Sequence, residues 1–286
     1  MRVRFATRVL LGTTLLLGPF GLPNESRADA PLEDRKAAAA DELRSNPEDP
    51  EAWLFQADLH REEGKFDEAI GAYQNAARVG ANEDGVDTTI AVILADAGMP
   101  RASAATLDRV LARSPDYRGA RIARARQRAA QGDPQGAAVD FKKALDGASS
   151  VRPGLVLEGM EILVLAGQRE DALGIADARM AERGALVALQ LPAIEIELSL
   201  GNHEGALRRL DTLLVRHPDH PAWLQRRGEI LLAAGRTDEA RQSFSKGLAA
   251  VETRQSKRKS QRLAMIEREL RAQLARQTET DGGTSE

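Results

Sequence analysis

From Trp53 onward the apolar positions recur every three to four residues, as amphipathic helices require, and the pattern restarts at regular distances. Trp53 to Ala81, WLFQADLHREEGKFDEAIGAYQNAARVGA, reads as two short amphipathic helices joined by a tight turn at Gly64-Lys65-Phe66. The chain then keeps repeating that unit. Glycines stand at Gly64, Gly98, Gly132, Gly167, Gly201 and Gly235, spaced 34, 34, 35, 34 and 34 residues apart. A fixed period in this range predicts a stacked array of supersecondary units. No run alternates polar and apolar long enough to suggest a sheet, so the expected fold class is all-α.

Counting from each glycine gives the packing positions. Five residues on come Ala69, Ser103, Ala137, Ala172, Ala206 and Ala240, small in every copy. Helices cross closely only where a side chain is small, so these mark the contact between the two helices of one hairpin. Nine residues on come Tyr73, Leu107, Phe141, Ala176, Leu210 and Phe244, mostly large, to fill the space between hairpins. Seven before come Ala57, Ala91, Ala125, Met160, Ile194 and Gly228, a second small position that loosens in the fourth and fifth copies. Pro115 and Pro218, seventeen after their glycines, end second helices, and Pro47 closes the unit before the first glycine.

At these residues the chain resembles the tetratricopeptide repeat family. The first copy (Trp53, Ala57, Gly64, Phe66, Ala69, Tyr73, Ala76) and the last (Trp223, Gly228, Gly235, Ala240, Phe244) carry the resemblance best. It implies a right-handed superhelix, an α-solenoid of about six hairpins over residues 49–250. The fourth copy, around Gly159-Met160, has an extra residue and lacks the closing proline, which predicts an irregularity near 148–160. The ends of such an array need covers. Leu32 to Leu43 suits an N-terminal capping helix within 31–48, and Leu263, Ile266, Leu270 and Leu274 form one apolar stripe for a C-terminal cap over 251–277. Residues 278–286 carry no apolar side chain and are expected to be disordered.

The first thirty residues follow another pattern. Arg2, Arg4 and Arg8 precede an apolar run from Val9 to Leu17, and Ala28-Asp29-Ala30 offers a small-x-small cleavage site. This is the layout of a secretory signal peptide, so export to a periplasm or beyond is expected, with cleavage after Ala28 or Ala30. An uncleaved anchor and a mispredicted start codon are the other readings. The run falls short of the about 20 residues a span needs, and Gly18-Pro19 interrupts it.

Charge and composition remove several functions. The formal net charge of −3 suggests no nucleic-acid partner. Arg118, Arg121, Arg124, Arg126 and Arg128 crowd one helix, but with Asp133 and Asp140 nearby and no interleaved aromatics they read as a solvated face. The absence of cysteine excludes disulfides and thiolate metal sites. His217-Pro218-Asp219-His220 brings two imidazoles close, with no third ligand in the sequence nearby. Phosphate-loop, HExxH and GxSxG motifs are missing, so neither an enzyme nor a cofactor is expected.

The resemblance implies that first helices line a concave face and that their exposed residues bind partners. Ten, six and three residues before the glycines, this selects Leu54, Asp58 and Arg61; Val92; Ile122 and Arg126; Leu157, Glu161 and Val164; Leu191, Glu195 and Leu198; and Gln225, Glu229 and Leu232. The later half is expected to be an apolar floor with a row of three carboxylates, suited to a segment apolar on one side and basic on the other. Two readings stand: a binding groove, or leucines packing on the next repeat beneath solvated glutamates. The variant of the family that clamps a partner's C-terminal carboxylate uses Lys and Asn where this chain has Leu54, Asp58, Thr89 and Ala123, so that partner is not expected. The functional expectation is a non-catalytic scaffold or adaptor binding a protein partner in the cell envelope. The alternatives are a carrier of extended client peptides and an enzyme of unrecognised type.

Overall fold

A computed structural model describes residues 30–147, 151–184, 186–255 and 261–282. Every regular element among them is an α-helix. A first helix, α1 (Leu32–Ser45), precedes six hairpins: α2 (Pro50–Glu62) with α3 (Phe66–Arg78), α4 (Glu83–Asp96) with α5 (Pro100–Arg113), α6 (Arg118–Ala130) with α7 (Pro134–Leu145), α8 (Pro153–Leu165) with α9 (Arg169–Arg183), α10 (Val187–Ser199) with α11 (His203–Arg216), and α12 (Pro221–Ala233) with α13 (Thr237–Gln255). A last helix, α14, runs from Gln261 to Gly282. The expected signal peptide and the basic residues Lys257, Arg258 and Lys259 lie outside the described residues.

The periodic glycine makes the turn inside every hairpin. Gly64, Gly98, Gly132, Gly167, Gly201 and Gly235 all have φ between 72° and 81°, a backbone that a side chain would strain. The residue after each glycine donates its N–H back across the turn: Lys65 to His60 O at 2.9 Å, Met99 to Leu94 O at 2.8 Å, Asp133 to Arg128 O at 2.9 Å. The same bond recurs at Gln168, Asn202 and Arg236, so six first helices end by one left-handed cap that satisfies a terminal carbonyl.

The counted packing positions are the core. Ala69, Ala137, Ala172, Ala206 and Ala240 are fully buried and Ser103 nearly so; Tyr73, Leu107, Phe141, Ala176, Leu210 and Phe244 are buried with them. At Gly228 even a Cβ would overlap the Phe244 ring, which explains a glycine in mid-helix despite its cost of about 0.5–1 kcal/mol relative to Ala.

The chain divides into two compact units, with the boundary between Ala123 and Arg124, inside α6. In the first, α2 to α5 stack in chain order on two apolar clusters, one of Ala57, Tyr73, Val86, Ile90 and Ile93, the other of Ala91, Leu107, Val110, Ala120 and Ala123. There α1 packs on α2, where Lys36 bonds Glu63 at 2.9 Å and Arg35 pairs with Glu62. In the second, α7 to α14 stack in order, and Ile266 and Leu270 of α14 are buried in one cluster with Ile194, Leu210, Leu231 and Phe244.

Several boundaries differ from the sequence expectation. α13 runs to Gln255, past the expected end of the array at 250, and α14 begins at Gln261. α14 also continues through Gly282 into the stretch expected to be disordered, because a helix already nucleated on Leu263, Ile266, Leu270 and Leu274 propagates without further apolar contacts. In the irregular fourth copy, Leu145 and Pro153 are separated by seven residues (146–152) where 79–82 and 217–220 span four elsewhere, and residues 148–150 lie outside the described ones.

The arginine-rich helix is also not the solvated face expected. Asp140 of α7 is 1% exposed and accepts from Arg124 at 2.7 and 2.8 Å and from Arg128 at 2.9 Å. Arg121 is buried as well. A buried carboxylate requires such neutralisation, and the sequence could not tell which side of α6 meets α7.

Candidate functional site

All fifteen residues selected from the sequence stand on first helices, and none is buried. What surrounds them differs between the units.

In the first unit, Leu54 and Val92 are half-buried and pack on the two apolar clusters, so they serve the fold. Ile122 is half-buried on the first part of α6. Asp58 accepts a hydrogen bond from the Tyr73 hydroxyl of the same hairpin and pairs with Arg61 at 3.2 Å. Burial, then the Asp58 charge, pushes the Tyr73 phenol far above its ordinary range, so it stays a donor. The polar groups of this face are satisfied by their own hairpin.

In the second unit, Arg126 reaches forward one repeat and binds Glu158 of α8 through two bonds, 2.6 and 2.8 Å. Glu195 and Glu229 do not form the open acidic row expected, because Arg226 lies between them. Its Nη2 is 2.6 and 2.7 Å from the two Glu195 oxygens, and its Nη1 is 3.2 Å from Glu229. Gln225 donates to Glu229 at 3.2 Å and to Glu269 of α14 at 2.8 Å. Arg226, Glu158 and Glu269 were missed because they stand one or more positions off the counted rows. A signal was available: Arg126–Glu158, Arg209–Asp177 and Arg236–Glu204 pair at a separation of 32 residues and Arg226–Glu195 at 31, close to one period.

Glu161 is the exception. Among the described residues it has no hydrogen-bond or ion-pair partner, and its side chain is exposed. Burial against its neighbours and then the Glu158 carboxylate hold its pKa above the ordinary glutamate value. On the same side of α8 lie Leu157, four residues before, with Val164 and Leu165, three and four after. Leu157 and Val164 are half-buried, and Leu165 is 68% exposed. On α10, which packs beside α8, Leu191 is 42% exposed, whereas Leu198 and, on α12, Leu232 pack on the apolar cluster below. Leu198 and Leu232 thus pack on the core, whereas Leu191 and Leu165, a residue outside the counted rows, are exposed.

The two imidazoles of the inter-repeat turn are occupied with an aromatic ring. His220 stacks on Trp223 with centroids 4.1 Å apart, and His217 meets the same ring edge-on at 5.6 Å. Burial, then Arg254, His217 and Arg262, lowers the His220 pKa. Among the described residues no group of three His, Cys, Asp or Glu could hold a metal, and no helix is long and apolar enough to cross a membrane.

Comparison with known proteins identifies the template. The tetratricopeptide repeat profile matches residues 33–84, 88–152 and 192–254. The unmatched stretch between contains α8 and α9, the irregular fourth hairpin. Among solved structures, the C-terminal part of a TPR repeat-containing protein from Cytophaga hutchinsonii shares the fold at a TM-score of 0.58 and 11% identity, over 85% of this chain and 95% of that one. A tetratricopeptide repeat protein from Parabacteroides merdae aligns over 84% of this chain and 92% of its own, with 17% identity and a TM-score of 0.43. PilW, a type IV pilus biogenesis factor, aligns over 65% and 86%, with 24% identity and a TM-score of 0.48. No protein of curated function matches the sequence. With the profile covering well over half of the residues and one hairpin repeated in phase, the chain belongs to the tetratricopeptide repeat family.

Proposed function

We propose that this protein is a non-catalytic docking scaffold of the cell envelope, and that the first-helix face of its second unit holds a segment of a partner protein. One observation carries the docking reading. On α8 and α10 the core-facing residues Met160, Leu163, Ala193 and Ile194 are buried, while Leu165 and Leu191 remain exposed. Exposed apolar side chains on two neighbouring first helices offer a partner surface whose covering is favourable. The envelope location rests on the charged, apolar and small-residue layout of residues 1–30. Assembly of a secretion, polysaccharide-export or cofactor-maturation complex is the kind of work such a scaffold would serve.

Affinity purification from the native envelope tests the docking. A Leu165→Asp, Leu191→Asp double variant, checked for folding by circular dichroism, should lose one partner that the natural chain recovers at fixed stoichiometry. Equal recovery by both would sink the docking face. Recovery of many unrelated extended clients would favour a carrier. Export is tested separately by mass spectrometry of the mature N-terminus; a chain retaining Met1 in the cytoplasmic fraction would refute it.

A further inference from the structure

Glu161, Glu195 and Glu229 occupy one place in three successive repeats, yet among the described residues Glu161 alone of the three has no cation partner. The Arg226 guanidinium already satisfies the other two, so a basic group arriving there would have to displace it. At α8 nothing needs displacing. Arg126 of the preceding repeat is bound through both donors to Glu158, one turn from Glu161, and does not reach it. Leu157, Val164 and Leu165 stand one turn from Glu161 along α8, and Leu191 is exposed on α10, which packs beside α8. A bound segment covering these side chains would remove water from around the carboxylate and strengthen its attraction for a positive charge. A segment without a cation there would leave a covered carboxylate unpaired, which is unfavourable.

We infer that the α8–α10 face selects a partner segment carrying one Lys or Arg flanked by apolar side chains, and that Glu161 alone of the acidic row receives it. This rests on the docking reading above. The partner is thereby defined as apolar with a single central positive charge, and a uniformly basic surface is the wrong shape of charge for this site.

Fluorescence anisotropy with the purified protein tests it, using three labelled leucine-rich peptides identical except for a central Lys, Gln or Glu. The Lys peptide should bind on the order of tenfold more tightly than the Gln peptide. That preference should vanish in Glu161→Gln, persist in Glu195→Gln, and pass to the Glu peptide in Glu161→Lys. It should also shrink as salt is raised. A preference unchanged by Glu161→Gln, or lost equally in Glu195→Gln, would overturn the assignment. If no peptide shows a preference but the Leu165→Asp, Leu191→Asp variant still releases the native partner, docking stands and the charge selection falls. If that variant binds the Lys peptide as tightly as the natural chain does, the peptide binds elsewhere and the charge selection falls, while partner recovery alone decides the docking reading.

Discussion

The fourth and sixth hairpins were built from one template and ended differently. In the sixth, Gly228 admits the Phe244 ring between the helices, and Arg226 joins the acidic side chains of two repeats. In the fourth, Met160 replaces the small residue and Ala176 replaces the large one, so the bulk has moved from the second helix to the first. Both arrangements fill the same space, and all four side chains or their partners are buried. Their first-helix faces differ as well: in the fourth hairpin Leu165 is exposed and, among the described residues, Glu161 has no cation partner. A repeat can therefore keep its core volume constant while its first-helix face is free to change, which is how one fold carries different partners on different repeats.

The largest effect should come from the sixth hairpin's core. Phe244→Ala is expected to cost about 3–5 kcal/mol in urea unfolding, because the ring fills a fully enclosed space that the neighbours cannot close. Gly228→Ala should cost about 1–3 kcal/mol by overlap with that ring. The two should be non-additive, since removing the ring removes the overlap; additive losses would mean the two residues do not share one space. Ala137→Leu in the third hairpin, at the fully buried small position, is expected to cost a similar ~1–3 kcal/mol, and an unchanged melting temperature would break the phasing used throughout.

Smaller effects sharpen the surface comparison. Arg226→Ala should change stability by less than about 1 kcal/mol, because the pairs it makes are half-exposed. It should nevertheless give the α10–α12 face the charge character of α8, so that the Lys peptide's preference no longer depends on Glu161 alone. The smallest effect is on pH dependence. Glu161, raised by burial and Glu158, binds its proton more tightly folded than unfolded, so its contribution falls as pH rises from the ordinary glutamate value through its raised one. Glu239 of the sixth hairpin, lowered chiefly by its hydrogen bond from Arg236, contributes above the ordinary value and loses this as pH falls through its depressed one. Carboxyl NMR titration should place Glu161 above Glu239; the reverse order would contradict the difference in pairing.

The hairpins were legible because their determinants are local. A turn that needs positive φ demands glycine, and a close helix crossing demands Ala or Ser, so both leave a mark in every copy at Gly64 and Ala69 and their equivalents. Helical spacing also suffices to place Leu157 and Glu161 on one side of α8. It does not supply the partners of first-helix residues. Arg226 reaches Glu195, and Arg126 reaches Glu158, by long side chains crossing to the neighbouring repeat, a spacing of 31 and 32 residues that the rows counted from the glycines do not sample. The arginines of α6 escape the sequence for another reason: Arg124 and Arg128 pair with Asp140 inside their own hairpin, and only its burial shows which charges it requires.

The place taken by α14 has a consequence for how long the array can grow. It packs on α13 and also touches α12, as α10 packs on α9 and touches α8, so it sits where a seventh hairpin would begin. Yet its sequence supplies Ile266 and Leu270 on the inward side and mainly charged residues such as Glu267, Arg268 and Arg271 around them. It joins the stack while offering a further unit little apolar surface beyond the exposed Met265. A hairpin inserted after Gln255 would compete with α14 for its seat, whereas one inserted between existing hairpins would meet compatible surfaces on both sides.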